Sequence, residues 1–269
     1  MMATLGARVV VLSPHLDDGV FSLGAAIART TAANGEVKVV TVLANDPASN
    51  ARPSVWDAAC GFGTVGEAAS VRREEDDRAC TLVGAEPVWL PFADDDHGGE
   101  RGDADVWAAL EPSIEWADVV VTPGFPLYHP DHAWLTGLVA PRLDRSRRLG
   151  LYVEQPYASW RLIGRGRRTW TAPGLTLGRS VRNLAAITLR ARAGRRLQQP
   201  VALGAVPGVV DEPTWIALRA GPRAWGAKQR AVRQYRSQLE AFGPLVPSRM
   251  ALYELGWGGE GLGWVERRR

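Results

Sequence analysis

The sequence predicts a layered α/β protein: a Rossmann-like parallel sheet with helices on both faces, plus a basic C-terminal cap. Three observations carry that reading. Over the first 155 residues, short runs rich in valine and leucine alternate with helical stretches, the mark of βαβ units. Those runs are continuously apolar rather than alternating, as expected of strands covered on both faces. The charge then divides the chain. Residues 1–140 carry 8 Lys and Arg against 21 Asp and Glu, a net of −13, whereas 141–269 carry 24 against 8, a net of +16. The overall charge of +3 therefore hides an acidic half and a basic half.

The elements follow in order. Residues 9–12 read as a buried strand, 20–31 as a helix apolar on most faces, and 37–43 as a second strand. The stretch 67–83 is amphipathic: Ala68, Val71, Ala79 and Leu82 share one stripe, and Arg72 to Asp77 form a charged face. A strand over 88–90, a helix over 103–114 and a strand over 119–122 continue the rhythm. The helix over 131–140 must end near Pro141, whose ring disfavours helical conformation in the residue before it. A strand over 149–153 follows. Beyond Gln155 the pattern breaks into a Gly/Arg loop (161–168), a basic helix (181–192), a turn-rich strand (207–213) and one long polar helix (222–242). We expect a single unit over 1–269. Its α/β core spans 1–155, and 156–269 form a cap held on by opposite charge, where substrate specificity is written.

A chain of 269 residues with 46% hydrophobic content can bury a sizeable core, which excludes a disordered polypeptide. The two cysteines, Cys60 and Cys80, cannot build a disulfide framework and form no CxxC pair, which points to a reducing compartment. The N-terminus lacks the pattern of a signal peptide, and no apolar run approaches the ~20 residues of a membrane span. A soluble, cytoplasmic protein is expected.

Reactive side chains concentrate in two phrases. Ser13-Pro14-His15-Leu16-Asp17-Asp18-Gly19 leaves the first strand, and Leu127-Tyr128-His129-Pro130-Asp131-His132 follows the fourth. In an open parallel sheet of order 3-2-1-4-5, these two loops flank the crevice where ligands bind. The residue types suit a metal hydrolase. His15, Asp18 and His132 supply two imidazoles and one carboxylate, leaving positions open, as in a catalytic zinc site. Asp17 is placed to take a proton from water as general base. His129, paired with Asp131 and held protonated by it, would donate to a developing oxyanion or leaving amine. Alone, the first phrase reads equally well as a turn in which Asp17 or Asp18 caps the next helix, and the second reads rather better as a capped helix start. Three of the chain's 4 histidines fall in these two loops, which favours the site.

The sequence here resembles the PIG-L/LmbE-like zinc-dependent N-acetylglucosaminyl deacetylases. Pro14-His15-Leu16-Asp17-Asp18-Gly19 is similar to the family's A/P-H-P-D-D-E motif, and His129-Pro130-Asp131-His132 matches its H-P-D-H motif in full. Arg72-Arg73-Glu74-Glu75 with Ala79, Leu82 and Gly84 resembles its R-x-x-E…A…L-G helix. Glu154-Gln155-Pro156-Tyr157 resembles E-D-x-P-Y, and Lys228…Tyr235-Arg236-Ser237-Gln238 resembles K…Y-x-S-Q. The resemblance implies an LmbE-like fold and a Zn2+ cofactor, or another divalent ion in its place. It implies removal of an N-acyl group, first of all N-acetyl, from an amino sugar or glycoside. His15, Asp18 and His132 would be ligands and Asp17 the base; His129, supported by Asp131, would be the electrophilic partner. Leu16 and Gly19 depart from the motif, and the missing acid at 19 bears on substrate contacts beside the metal.

Other signals weigh less. Gly61-Phe62-Gly63-Thr64-Val65-Gly66 fits GxGxxG but follows no strand, so a loop entering the next helix is the better reading. Arg72 belongs either to an intrahelical charge network or to the substrate site. The acidic run 94–96 before His97 reads first as a solvated loop; its place after the third strand, near the crevice, makes Asp95 a candidate for binding sugar hydroxyls. Among the 11 tryptophans, Trp56 and Trp160 are the candidates for stacking on a sugar. No recognised nucleic-acid module is present, and the basic helix is read as a solvated or substrate-facing surface rather than a membrane anchor. The basic surplus would draw an anionic substrate. Composition rich in Arg, Ala and Gly suggests a GC-rich genome, which with the basic half fits a sugar or glycoside of a specialised biosynthetic pathway. The competing readings are an amidase of a thiol-sugar conjugate, a non-catalytic carbohydrate-binding relative and a membrane-surface enzyme on an anionic glycolipid.

Overall fold

The computed structural model describes residues 4–94, 101–161 and 213–265. Five strands of the predicted core lie parallel: β1 (Arg8–Ser13), β2 (Glu36–Thr41), β3 (Glu86–Trp89), β4 (Val119–Phe125) and β5 (Arg148–Val153). Their order is β3-β2-β1-β4-β5, as expected from sequence. Alternate residues of these strands serve two faces. Val9, Val11, Val37, Val39, Val119 and Val121 enter one core cluster, while Val10, Leu12, Val40, Val120 and Leu149 enter the other. With helices against both clusters, neither face meets water, so both sets are apolar.

The helices are α1 (Asp18–Thr31), α2 (Val55–Ala59), α3 (Val65–Val83), α4 (Asp103–Trp116), α5 (Pro130–Val139) and α6 (Tyr157–Arg161). Thr64 starts α3 by accepting the Glu67 amide at 3.1 Å, and Gly84 ends it in the left-handed conformation that glycine adopts without strain. The run 61–66 is the loop entering this helix, with Gly66 already inside it. The short helix α2 carries too few residues for a periodic signal.

The described part of the expected cap extends the sheet instead. β7 (Glu260–Val265) pairs antiparallel with β5, and β6 (Thr214–Leu218) pairs antiparallel with β7. The full order is β3-β2-β1-β4-β5-β7-β6. Glycines in Glu-Gly-Leu-Gly-Trp-Val hide the strand pattern, and close approach explains them. A Cβ on Gly261 would stand 2.3 Å from Val153 Cγ2. The single helix expected over 222–242 is two, α7 (Pro222–Val232) and α8 (Arg236–Phe242), followed by α9 (Val246–Trp257). The break falls at Tyr235, which is buried with its hydroxyl donating to Asp76 Oδ1 at 2.7 Å. The expected loop 161–168 beyond Arg161, which ends α6, the basic helix 181–192 and most of the strand 207–213 lie outside the described residues.

Among the described residues, neutral donors of the basic half reach the acids of α3. Besides Tyr235, the amide and hydroxyl of Ser237 donate to Glu75 at 2.9 and 2.7 Å. The acids of α3 thus bind the C-terminal half, here through hydroxyls and an amide rather than through its arginines. Behind α1, the buried Lys228 ammonium donates to Glu254 and, at 2.5 Å, to Glu260. Glu260 in turn accepts the Ala25 and Ala26 amides of α1 at 2.9 and 2.7 Å. Elements of the C-terminal half therefore fix the helix that begins at Asp18.

Candidate functional site

The turn after β1 is tied down by Ser13. Its hydroxyl donates to the His15 carbonyl at 2.6 Å and accepts the Gly19 amide at 2.9 Å. Gly19 lets α1 start close against the sheet: a Cβ there would lie 3.2 Å from Val39 and 3.3 Å from Val11. Asp17 has φ 155°, a backbone conformation that costs on the order of 1–3 kcal/mol outside glycine. Although it occupies the N-cap position of α1, its side chain makes no capping hydrogen bond. The capping role therefore does not account for Asp17.

The two loops converge as expected. His15 Nδ1 and His132 Nε2 both lie 3.2 Å from Asp18 Oδ2, and donor atoms of all three residues fall within 4.8 Å of one another. His132 and Asp18 are buried, and His15 is partly so. The chemistry of the set fits a divalent cation with nitrogen and oxygen ligands. So does one orphan: His132 Nε2 is buried and makes no well-formed hydrogen bond, despite pointing at Asp18. A second group, His15, His129 and Asp131, also has donor atoms within 4.8 Å and shares His15 with the first.

Charge in the centre is strongly coupled. Burial opposes ionisation of both inner histidines, yet Asp131 and Asp18 lift His15 to about 9, and Asp18 and Glu154 lift His132 to about 10. Asp18 is held well below the usual carboxylate range: burial is outweighed by His132 and His15. Asp17 moves the other way. Burial and the neighbouring Asp18 raise it well above its ordinary value, against the pull of His15, Arg72 and His132. Two adjacent aspartates are thus driven apart, one fixed as an anion and one able to take a proton.

His129 corrects the sequence reading. Its Nδ1 accepts the Asp131 amide at 3.3 Å as the N-cap of α5 and lies 3.5 Å from the Asp131 carboxylate. Burial, with His15 and His132 nearby, nevertheless lowers it to about 4, so the ring is neutral rather than held protonated. The fully buried Asp131 is engaged more closely elsewhere. Oδ2 meets His15 Nε2 at 3.1 Å, and Oδ1 accepts from Arg101.

Of the expected substrate contacts, Arg72 is buried with its guanidinium 2.5 Å from Asp57 Oδ1. Its ion-pair partner lies outside its own helix, and its charge works against the upward shift of Asp17. Trp56 is committed to the protein: Nε1 donates to Gln238 at 3.2 Å, and the ring packs 5.2 Å from Phe242. Asp95 and the Trp160 side chain lie outside the described residues. Two further residues join the centre. Glu154, quoted above only as part of a motif, places Oε2 2.9 Å from His132 Nδ1 and accepts the Leu127 amide through Oε1 at 2.8 Å. Its position directly after β5, on the same sheet edge, is the signal that could have found it. Arg101 has no such signal. It bridges Asp131 and the Ala93 carbonyl, with its guanidinium 4.1 Å over the Trp134 ring.

Fold and site together point to one family over the N-terminal part of the chain. Residues 10–141 are a PIG-L family domain, the family described as GlcNAc-PI de-N-acetylase, and they contain His15, Asp17, Asp18, His129, Asp131 and His132. The whole chain is similar in fold to LmbE-like deacetylase structures. The A40926 pseudoaglycone deacetylase Dbv21 aligns at 24% identity over 97% of this chain and 99% of that one, with a TM-score of 0.65. The zinc-inhibited form of teicoplanin deacetylase Orf2 aligns at 21% over 97% and 98%, TM-score 0.66. GalB from Pseudomonas putida, a 4-carboxy-2-hydroxymuconate hydratase, aligns at 15% over 97% of each chain, TM-score 0.53. No curated protein sequence matches the chain. Among the described residues, no helix is long and apolar enough to cross a membrane.

Proposed function

We propose that this protein is a metal-dependent hydrolase that removes an N-acyl group, first of all N-acetyl, from an amino sugar or glycoside. The observation that carries the reading is the His15–Asp18–His132 cluster, with the uncapped and strained Asp17 beside it. The PIG-L domain supports deacetylation. Similarity to deacetylases of an antimicrobial pseudoaglycone and of teicoplanin biosynthesis supports a glycoside of specialised metabolism as substrate. The basic surplus of residues 141–269 favours an anionic one. Residues 1–269 act as one unit, since β6 and β7 complete the sheet that carries the site.

His15, Asp18 and His132 would hold the cation, either Zn2+ or another divalent ion. A bound cation at such a site supplies Lewis acidity toward an acyl carbonyl and toward water. Asp17 takes the proton of the attacking water as that oxygen bonds to the acyl carbon. His129 then serves as a neutral donor. Because Nδ1 accepts the Asp131 amide, the ring's proton sits on Nε2, available to the carbonyl oxygen as negative charge develops. When the C–N bond breaks, Asp17 returns the proton to the departing nitrogen, leaving a free amine and a carboxylate. Glu154 and Asp131 orient the imidazoles throughout.

The test is a panel of N-acylated amino sugars, nucleotide sugars and glycosides incubated with metal-loaded protein and assayed for amine release. We expect turnover of at least one glycoside, abolished by His15→Ala together with bound metal. Release of no amine across the panel, or full metal content in His15→Ala, would overturn the reading.

A further inference from the structure

The stacking surface expected of a tryptophan is offered by a different residue. Tyr128 is 55% exposed, one of few large apolar side chains so open among the described residues. It stands inside the second loop, immediately before His129. Its ring stacks on that of Tyr157 at 6.0 Å and 26°, and Tyr157 in turn meets His132 edge-on at 5.4 Å. Two aromatic rings thus form a step from the centre out to solvent.

The exposed ring is also held in place. Leu127, directly before it, has φ 51° and gives its amide to Glu154, the carboxylate that orients His132. His129, directly after it, is fixed as the N-cap of α5. Tyr128 is therefore clamped on both sides by residues of the site. An exposed aromatic on a fixed backbone costs little entropy to use in binding. Trp56, by contrast, packs on Gln238 and Phe242.

We propose that Tyr128 is a specificity-determining residue, its exposed ring the platform for the sugar ring whose amide lies at the His15–Asp18–His132 centre. The inference rests on the deacetylase reading and names the part of the substrate that is recognised. In an N-acylated amino sugar the amide nitrogen is bonded directly to a ring carbon, so the ring must lie right beside the centre. The C–H-lined face of a pyranose suits the face of a phenol ring, and the Tyr128 hydroxyl can reach sugar hydroxyls at the rim.

The experiment compares methyl N-acetylglucosaminide with the acyclic amide N-acetylethanolamine on metal-loaded wild type, Tyr128→Ala and Tyr128→Trp. Leu255→Ala, which trims another exposed apolar side chain, is the control for surface truncation. Amine release and saturation-transfer NMR binding are both read. For Tyr128→Ala we expect KM for the glycoside to rise about tenfold and its kcat/KM relative to the acyclic amide to fall by about the same factor. Tyr128→Trp should retain selectivity, and Leu255→Ala should match wild type. Unchanged KM, or equal losses on both substrates, overturns the proposal. Should wild type hydrolyse neither compound, binding alone decides Tyr128, and the deacetylase reading stands or falls on the wider panel. Weakened glycoside binding in Tyr128→Ala then supports the platform; unchanged binding, or none by wild type, overturns it.

Discussion

His132 and Glu154 meet at 2.9 Å, imidazole Nδ1 to carboxylate Oε2, both sealed from solvent. The contact fixes which nitrogen of His132 faces Asp18, and a carboxylate behind an imidazole makes the ring a stronger ligand. Glu154→Gln keeps the shape and a hydrogen-bond acceptor but removes the charge. Metal affinity should fall by about 10–100-fold, measured by competition with a chelator. Far-ultraviolet circular dichroism should be unchanged. Wild-type affinity in this variant would make Glu154 a loop anchor for Leu127 only.

Asp17 and Asp18 are neighbours with opposite fates. Asp18 is an anion held by two histidines, whereas burial and Asp18 together push Asp17 up. Asp17→Asn should therefore retain bound metal and lose turnover by about 10²–10⁴. Asp18→Asn should lose metal first. Metal content by atomic spectroscopy beside single-turnover rates separates the two. Undiminished turnover in Asp17→Asn would remove it from the base role.

The parallel core and both site loops are legible in the sequence because their signals are local. Valine-rich runs mark β1, β2 and β4, and His15 to Asp18 and His129 to His132 are short phrases. What escapes is non-local. Gly261 is dictated by Val153 across the sheet, and Tyr235 breaks a helix because Asp76 of α3 accepts its hydroxyl. Neither partner can be found from a periodicity. His129 escapes for an electrostatic reason. A nearby aspartate suggests protonation, but the desolvated ring also faces His15 and His132, which favour the neutral form.

Arg101 acts on the centre through Asp131. It takes one carboxylate oxygen and leaves the other on His15, and it is itself confined by the Ala93 carbonyl and the Trp134 ring. Arg101→Ala should free the Asp131 carboxylate and lower kcat more than it raises KM, by about tenfold. Arg101→Lys should recover part of the loss, since the charge returns without the planar fork. A change confined to KM would make Arg101 a substrate contact instead.

Metal uptake must displace protons. In the metal-free protein His15 sits at about 9 and His132 at about 10, so both carry a second proton at pH 7, while ligation requires neutral imidazoles. Binding of Zn2+ at pH 7 should release about two protons, read by calorimetry in buffers of differing ionisation enthalpy. Apparent affinity should climb with pH up to about 9–10 and then level off. The same shifts set the stability of the metal-free fold. Because both pKa values are raised above the unfolded value, their contribution is complete below pH ~6.5 and is lost as pH rises through 9 and 10. Thermal unfolding of chelator-treated protein should thus show a falling midpoint over that window. Metal-loaded protein should be nearly flat there, because the bound cation already holds both rings neutral. A pH-independent affinity, or proton release well below one per ion, would show that these two histidines are not the ligands.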